Sequence, residues 1–102
     1  MANIHFCPLG SIVILNDSDR KFVVMARGLN VRRHNKVFFF DYGGVPYPEG
    51  LTGDQMMYFN HNGIKKIVFR GYEDKDDKTI QDALNRFLAE HPNIERADAQ
   101  NW

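Results

Sequence analysis

"SIVILNDSDRKFVVMAR", residues 11–27, is the stretch on which the fold turns. Its first five residues are an apolar run rich in β-branched side chains, which suit a pleated strand better than a helix. "NDSD" at 16–19 then supplies side chains that hydrogen-bond their own backbone in tight turns. Apolar character returns in "KFVVMAR" at 21–27, so the two runs are expected to pair as a β-hairpin. Pro8 and Gly10 mark the turn that starts the first strand.

Outward from this hairpin the pattern repeats. "GLNVRRHNK" at 28–36 is polar and reads as a wider loop or a strand extension. "VFFFDY" at 37–42 is a strand with aromatics on both faces, which implies burial on both sides. "GGVPYPEGLTGD" at 43–54 holds four glycines and two prolines, a composition that excludes a regular element and predicts an ordered, tightly turned loop. A fourth strand is expected over 55–59 ("QMMYF") and, after one turn at 60–63, a fifth over about 65–71, centred on Ile67, Val68 and Phe69.

After Tyr72 the period changes. Ile80, Ala83, Leu84, Phe87 and Leu88 follow the i, i+3, i+4, i+7, i+8 spacing of one apolar helical stripe, so a helix is predicted over 76–90. Asp76 or Asp77 can cap it, the acids at 74, 76 and 77 suit the positive end of its dipole, and Pro92 ends it. Residues 93–102 are polar and aperiodic and read as a loose tail whose Trp102 could dock on the body or on a partner. The fold class that results is α+β: a curved antiparallel sheet or small SH3-like barrel of four to five strands, then an amphipathic helix, in one domain over 1–92.

Composition excludes several functions. At 102 residues the chain has room for one core, and with 43% hydrophobic and 25% charged residues it is a globular mixture, far from the composition of disorder. Thirteen basic residues balance thirteen acidic ones, so no net field draws in nucleic acid or an anionic membrane. No apolar run reaches the length of a membrane span and the start lacks a signal-peptide pattern, which predicts a cytoplasmic protein. Cys7 is the only cysteine, so neither an intrachain disulfide nor a cysteine-based zinc site can form within one chain.

Catalytic constellations are sparse. His5, His34, His61 and His91 lie far apart, without the spacing that brings two imidazoles to one zinc ion, and no phosphate-binding glycine loop occurs; no metal or cofactor is expected. Cys7 with His5 could share a strand face as nucleophile and base, but an ordered amino-terminal segment accounts for both. Asp41 and Glu49 could form an acid–base pair lined by Tyr42 and Tyr47; the preferred reading has both acids accepting backbone hydrogens in the glycine-rich turn, and presentation of the tyrosines at the surface is left open. "VRRH" at 31–34 with Lys36 could serve an RNA-binding barrel, against which the neutral total charge favours a solvated hairpin loop.

In their order along the chain, "PLGSIVIL", "FVVMARG", "DYGGVPYPEGL", "YFNHNGIKKIVFRGY" and the closing helix resemble a small family of unknown function, encoded in Gram-positive bacteria beside type VIIb (ESX-like) secretion systems and their LXG toxins. The most specific match is the DYxGxxYPEG motif, met here by Asp41, Tyr42, Gly44, Tyr47, Pro48, Glu49 and Gly50, with support from Phe59, Asn60, His61, Gly71 and Tyr72. The resemblance implies a non-enzymatic cytoplasmic accessory protein, a chaperone or adaptor for a secreted toxin or its targeting factors, with an immunity protein as the alternative from the same setting; the less favoured small nucleic-acid-binding barrel rests on the basic loop at 31–34 with Lys36 and not on the resemblance. Asp41, Tyr42, Tyr47, Pro48, Glu49, Phe59 and His61 are the candidate partner-binding residues. No catalytic residue, nucleic acid or membrane enters this reading, and a homodimer is a further arrangement it allows.

Overall fold

The computed structural model describes residues 3–54 and 56–96. Five strands, β1 (Ile12–Leu15), β2 (Lys21–Arg33), β3 (Lys36–Tyr47), β4 (Met57–Phe59) and β5 (Ile64–Phe69), precede one helix, α1 (Lys75–Glu90). They form a single antiparallel sheet in the order β4-β3-β2-β1-β5. The sheet stays open, with β4 at one edge and β5 at the other, so the barrel alternative is set aside.

The hairpin expected over 11–27 is present, with Ile12 opposite Val23 and Val13 opposite Phe22. Asp17 takes a positive φ of 61° in its turn, a conformation that aspartate tolerates better than most residues. Of the two readings of 28–36, strand extension is correct. β2 and β3 form a long ribbon closed by His34 and Asn35 at φ of 53° and 62°, the two-residue turn whose twist matches that of the flanking strands.

The expectation of an irregular loop from Gly43 onward needs correction, because β3 continues through Gly43, Gly44, Val45 and Pro46 to Tyr47. Crowding explains the two glycines. A Cβ at Gly43 would stand 2.8 Å from Leu29 Cδ1 and 2.9 Å from Met56 Cε, and one at Gly44 would stand 2.8 Å from the Val23 carbonyl oxygen. Pro46 is tolerated because β4 pairs only with Tyr42 to Gly44, leaving that flank of β3 without a strand that would need its missing N–H. β4 begins at Met57 and β5 stops at Phe69, both shorter than expected; Gln55 lies outside the described residues.

The helix packs on one face of the sheet and closes a core of Phe6, Cys7, Val13, Leu15, Phe22, Val24, Phe39, Tyr42, Phe59 and Leu88. Its cap is Asp74, whose carboxylate accepts from the Asp77 N–H at 3.0 Å, while Asp76 and Asp77 occupy the first turn. The buried stripe is rotated from the one predicted. Ile80 and Ala83 face solvent, Leu84, Phe87 and Leu88 face the sheet, and two polar residues, Gln81 and Asn85, turn inward beside them. Asn85 clasps the backbone of Ile4, accepting its N–H at 2.8 Å and donating to its carbonyl at 2.9 Å, which ties the amino-terminal segment to the helix.

The tail is also partly ordered. Phe39 N–H donates to the Glu95 carbonyl at 2.9 Å, and Phe39 forms an isolated parallel bridge with Arg96. Residues 95–96 and β4 therefore lie in tandem along the outer side of β3. Positions 97–102, including Trp102, lie outside the described residues.

Gly71 closes the descent from β5. Its N–H donates to Ser11 Oγ at 2.9 Å, and a Cβ there would stand 2.3 Å from the Leu9 carbonyl oxygen and 3.0 Å from Ser11 N. Both neighbours are backbone and cannot swing aside, so Gly71→Ala is expected to cost about 2 kcal/mol. A urea midpoint equal to that of the parent chain would contradict this.

Candidate partner-binding site

The seven residues singled out in the sequence separate into two groups. Asp41, Tyr42, Phe59 and His61 come together at the centre of β3, where the strand passes β4 and the 3₁₀ turn His61–Gly63. Tyr47, Pro48 and Glu49 lie at the far end of the strand. Six residues of extended chain, roughly 20 Å, separate Asp41 from Tyr47, so the structure does not assemble Asp41 and Glu49 as an acid–base pair.

The central group is a polar staple set into an apolar core. Asp41 is almost wholly buried; its N–H donates to Asn60 Oδ1 at 2.9 Å, and its Oδ2 accepts the His61 N–H at 2.8 Å. Its Oδ1 is paired with the Arg96 guanidinium, which also reaches Asn60 Oδ1 at 3.1 Å. These bonds fasten β3 to the turn after β4 and to the chain beyond α1, satisfying a buried carboxylate that would otherwise be costly. The acid accepts backbone hydrogens as expected, but from His61 rather than from the glycine-rich segment.

Tyr42, a candidate contact residue, is in the core. Its ring stacks on Phe59 at 5.3 Å and meets Phe6 edge-on at 5.8 Å. Its hydroxyl accepts the Cys7 N–H at 2.9 Å and lies 2.7 Å from His61 Nδ1. The hydroxyl and His61 Nδ1 share one hydrogen bond, which the hydroxyl donates when Nδ1 is unprotonated and accepts when Nδ1 carries the hydrogen. Burial pushes the Tyr42 phenol well above its ordinary value and holds the His61 imidazole below its own, against the opposing pull of the Asp41 charge. Burial also raises the Cys7 thiol, while His5 lies in solvent beside Glu73 and Arg70; they do not form a nucleophile–base pair.

A pH dependence follows. The unfolded chain protonates His61 near its ordinary value of about 6.5, whereas the folded chain does so only at lower pH. In that window the unfolded state binds more protons, so the stabilisation is complete above about pH 6.5 and declines as the solution is acidified toward the native value. Unfolding midpoints measured from about pH 7 to about pH 5 should fall more steeply for the parent chain than for His61→Asn, whose amide oxygen can still accept from Tyr42. Equal slopes would show that His61 is not the group responsible.

At the far end, Tyr47, Pro48 and Glu49 are exposed. The Lys21 ammonium lies 5.4 Å from the Tyr47 ring centroid, and Glu49 accepts from Arg20 Nη2 at 3.0 Å, an exposed pair that contributes little stability. Both contacts attach this segment to the β1–β2 turn.

One region stands out that the candidate list lacked. Every residue of β5 after Ile64 is exposed, including Ile67 at 37%, Val68 at 45% and Phe69 at 57%, with Tyr72 just beyond at 80%. The β1 register skips Lys65 and Val68, so β5 carries two bulges, and no strand among the described residues pairs with its outer side. Three consecutive apolar residues directly after two lysines were the available signal. Among the described residues no group of three or more His, Cys, Asp or Glu side chains could hold a metal ion, and no helix is long and apolar enough to cross a membrane.

The family model described as a domain of unknown function, DUF4176, matches residues 6–80, from the buried amino-terminal segment through all five strands into the start of α1. No curated protein and no solved structure matches the chain.

Proposed function

We propose that this chain, which belongs to the DUF4176 family, is a non-enzymatic cytoplasmic accessory protein that binds a protein partner, acting as chaperone or adaptor for a toxin exported by a type VIIb secretion system. The observation that carries the binding role is the row of exposed apolar side chains on the open edge strand β5, continued by Tyr72 and Leu9. Large apolar groups gathered on an unpaired edge are an aggregation liability that a monomeric protein normally blunts, so their retention argues for a partner. The toxin and its secretion route come from the resemblance at Asp41, Tyr42, Gly44, Tyr47, Pro48, Glu49 and Gly50. Within this reading, Asp41, Tyr42, Phe59 and His61 organise the fold, and Tyr47, Pro48 and Glu49 are the motif residues a partner can touch.

The test is co-expression with the LXG toxin encoded nearest to it, followed by pull-down and assay of the toxin with and without this chain. A stable complex with toxin activity intact is the expected result. A complex in which activity is abolished would make the protein an immunity factor, and the absence of any complex would remove both readings for that pair.

A further inference from the structure

From the geometry of β5 we infer that the partner docks by strand addition: an extended segment of a different protein, carrying acidic residues beside apolar ones, pairs along the outer side of Lys65–Phe69. This inference rests on the binding role proposed above and adds the mode of docking and the chemistry of the segment.

The edge itself specifies an extended occupant. At the opposite edge of the sheet, residues 95–96 and β4 run along β3, whereas among the described residues β5 pairs with β1 alone. A strand with one neighbour leaves alternate backbone N–H and C=O groups pointing outward, and another extended backbone satisfies them in register. The exposed Ile67, Val68 and Phe69 then supply apolar contact along the same line.

Charge decides between a second copy and a different chain. Lys65 and Lys66 are both exposed, and Lys65 meets the exposed Asp19 at 4.0 Å. If β5 paired antiparallel with itself, each register that leaves out at most one of its residues would set Lys66 directly opposite its own counterpart, or diagonal to Lys65 or Lys66 of the other copy. Like charges at those positions destabilise a strand pair. Aspartate or glutamate on an incoming segment converts the same lysines from a barrier into a recognition element.

The test uses full-length protein and two probes. Phage-displayed random short peptides are selected on the parent chain, and the winning peptide is measured by fluorescence anisotropy against the parent and against Lys65→Glu/Lys66→Glu. Both lysines are exposed, so the double variant should fold, which circular dichroism checks. The expected result is enrichment of peptides in which acidic and apolar residues alternate, slowed amide exchange over Lys65–Phe69 when the winner is bound, and a loss of roughly tenfold or more in affinity for the double variant. Failure to enrich, enrichment of peptides without acids, or affinity unchanged in the double variant would overturn the inference. So would concentration-dependent dimerisation in light scattering that the double variant alters, because the edge would then belong to a second copy. The co-expressed toxin separates this inference from the reading beneath it. A toxin that co-purifies equally with parent and double variant removes strand addition and leaves the adaptor role standing; a toxin that binds neither removes the adaptor role, while the peptide selection still decides what β5 accepts.

Discussion

Tyr42→Ala is expected to remove a large part of the chain's stability. The ring is fully buried between Phe6 and Phe59, and deleting a core aromatic of this size costs about 4 kcal/mol, against a total stability of roughly 5–15 kcal/mol for a domain. The hydroxyl adds a separate contribution. Tyr42→Phe keeps the ring but leaves the buried Cys7 N–H without its acceptor and His61 Nδ1 without its hydrogen-bond partner, which should cost about 2 kcal/mol. Urea denaturation followed by circular dichroism reads both, and the predicted order is parent, then Phe, then Ala. An alanine variant with the parent's midpoint would mean that the ring is not part of the core. A loss of partner binding in Tyr42→Ala would accordingly report a weakened core, whereas Tyr47→Ala, at an exposed position, tests contact directly.

The second large effect is expected at Arg27 and Asp77. Their side chains retain only 7% and 12% of their exposure, they meet at 2.7 Å, and they join β2 to the first turn of α1. Asp77 also accepts from Gln81 at 2.7 Å, and Arg27 donates to the Cys7 carbonyl at 3.4 Å. Burial opposes ionisation of Asp77, yet the Arg27 and Gln81 hydrogen bonds with the nearby positive charges hold its carboxyl below the usual value. Asp77→Ala leaves the guanidinium buried without its counter-charge and should cost about 3 kcal/mol, far more than loss of an exposed pair such as Arg20–Glu49. In Arg27→Met/Asp77→Leu both charges are gone, and much of the loss should be recovered, since two apolar groups need no pairing. A double variant as unstable as the single one would show that packing at this junction, rather than the unpaired charge, sets the cost.

These two sites also mark where sequence patterns reach and where they stop. The β1–β2 hairpin, the existence of five strands and the closing helix follow from β-branched runs, turn-forming residues and a 3.6-residue period, all of which act over a few neighbours along the chain. Strand ends depend on more distant partners. Gly43, Gly44 and Pro46 carry a turn composition, yet they are in β3 because Leu29, Met56 and Val23, brought close by folding, leave no room for a Cβ at the two glycines. The helix shows the same division. Its period was legible, but the face it buries was set by Gln81 finding Glu73 and Asp77 and by Asn85 finding Ile4, which made two polar residues acceptable inside while Ile80 remained outside.

The sequence by itself therefore determined the α+β class, the order of elements and a motif that groups Asp41 to Gly50, because each is written in local composition and spacing. Only the tertiary structure decided that Asp41 and Tyr42 are interior while Tyr47 to Glu49 are accessible, that Arg96 returns to pair with Asp41, and that Ile67, Val68 and Phe69 lie on an open edge. The physical reason is that burial and strand neighbours are properties of contacts far apart in the chain: an apolar run reads the same whether a second strand lies beside it or water does.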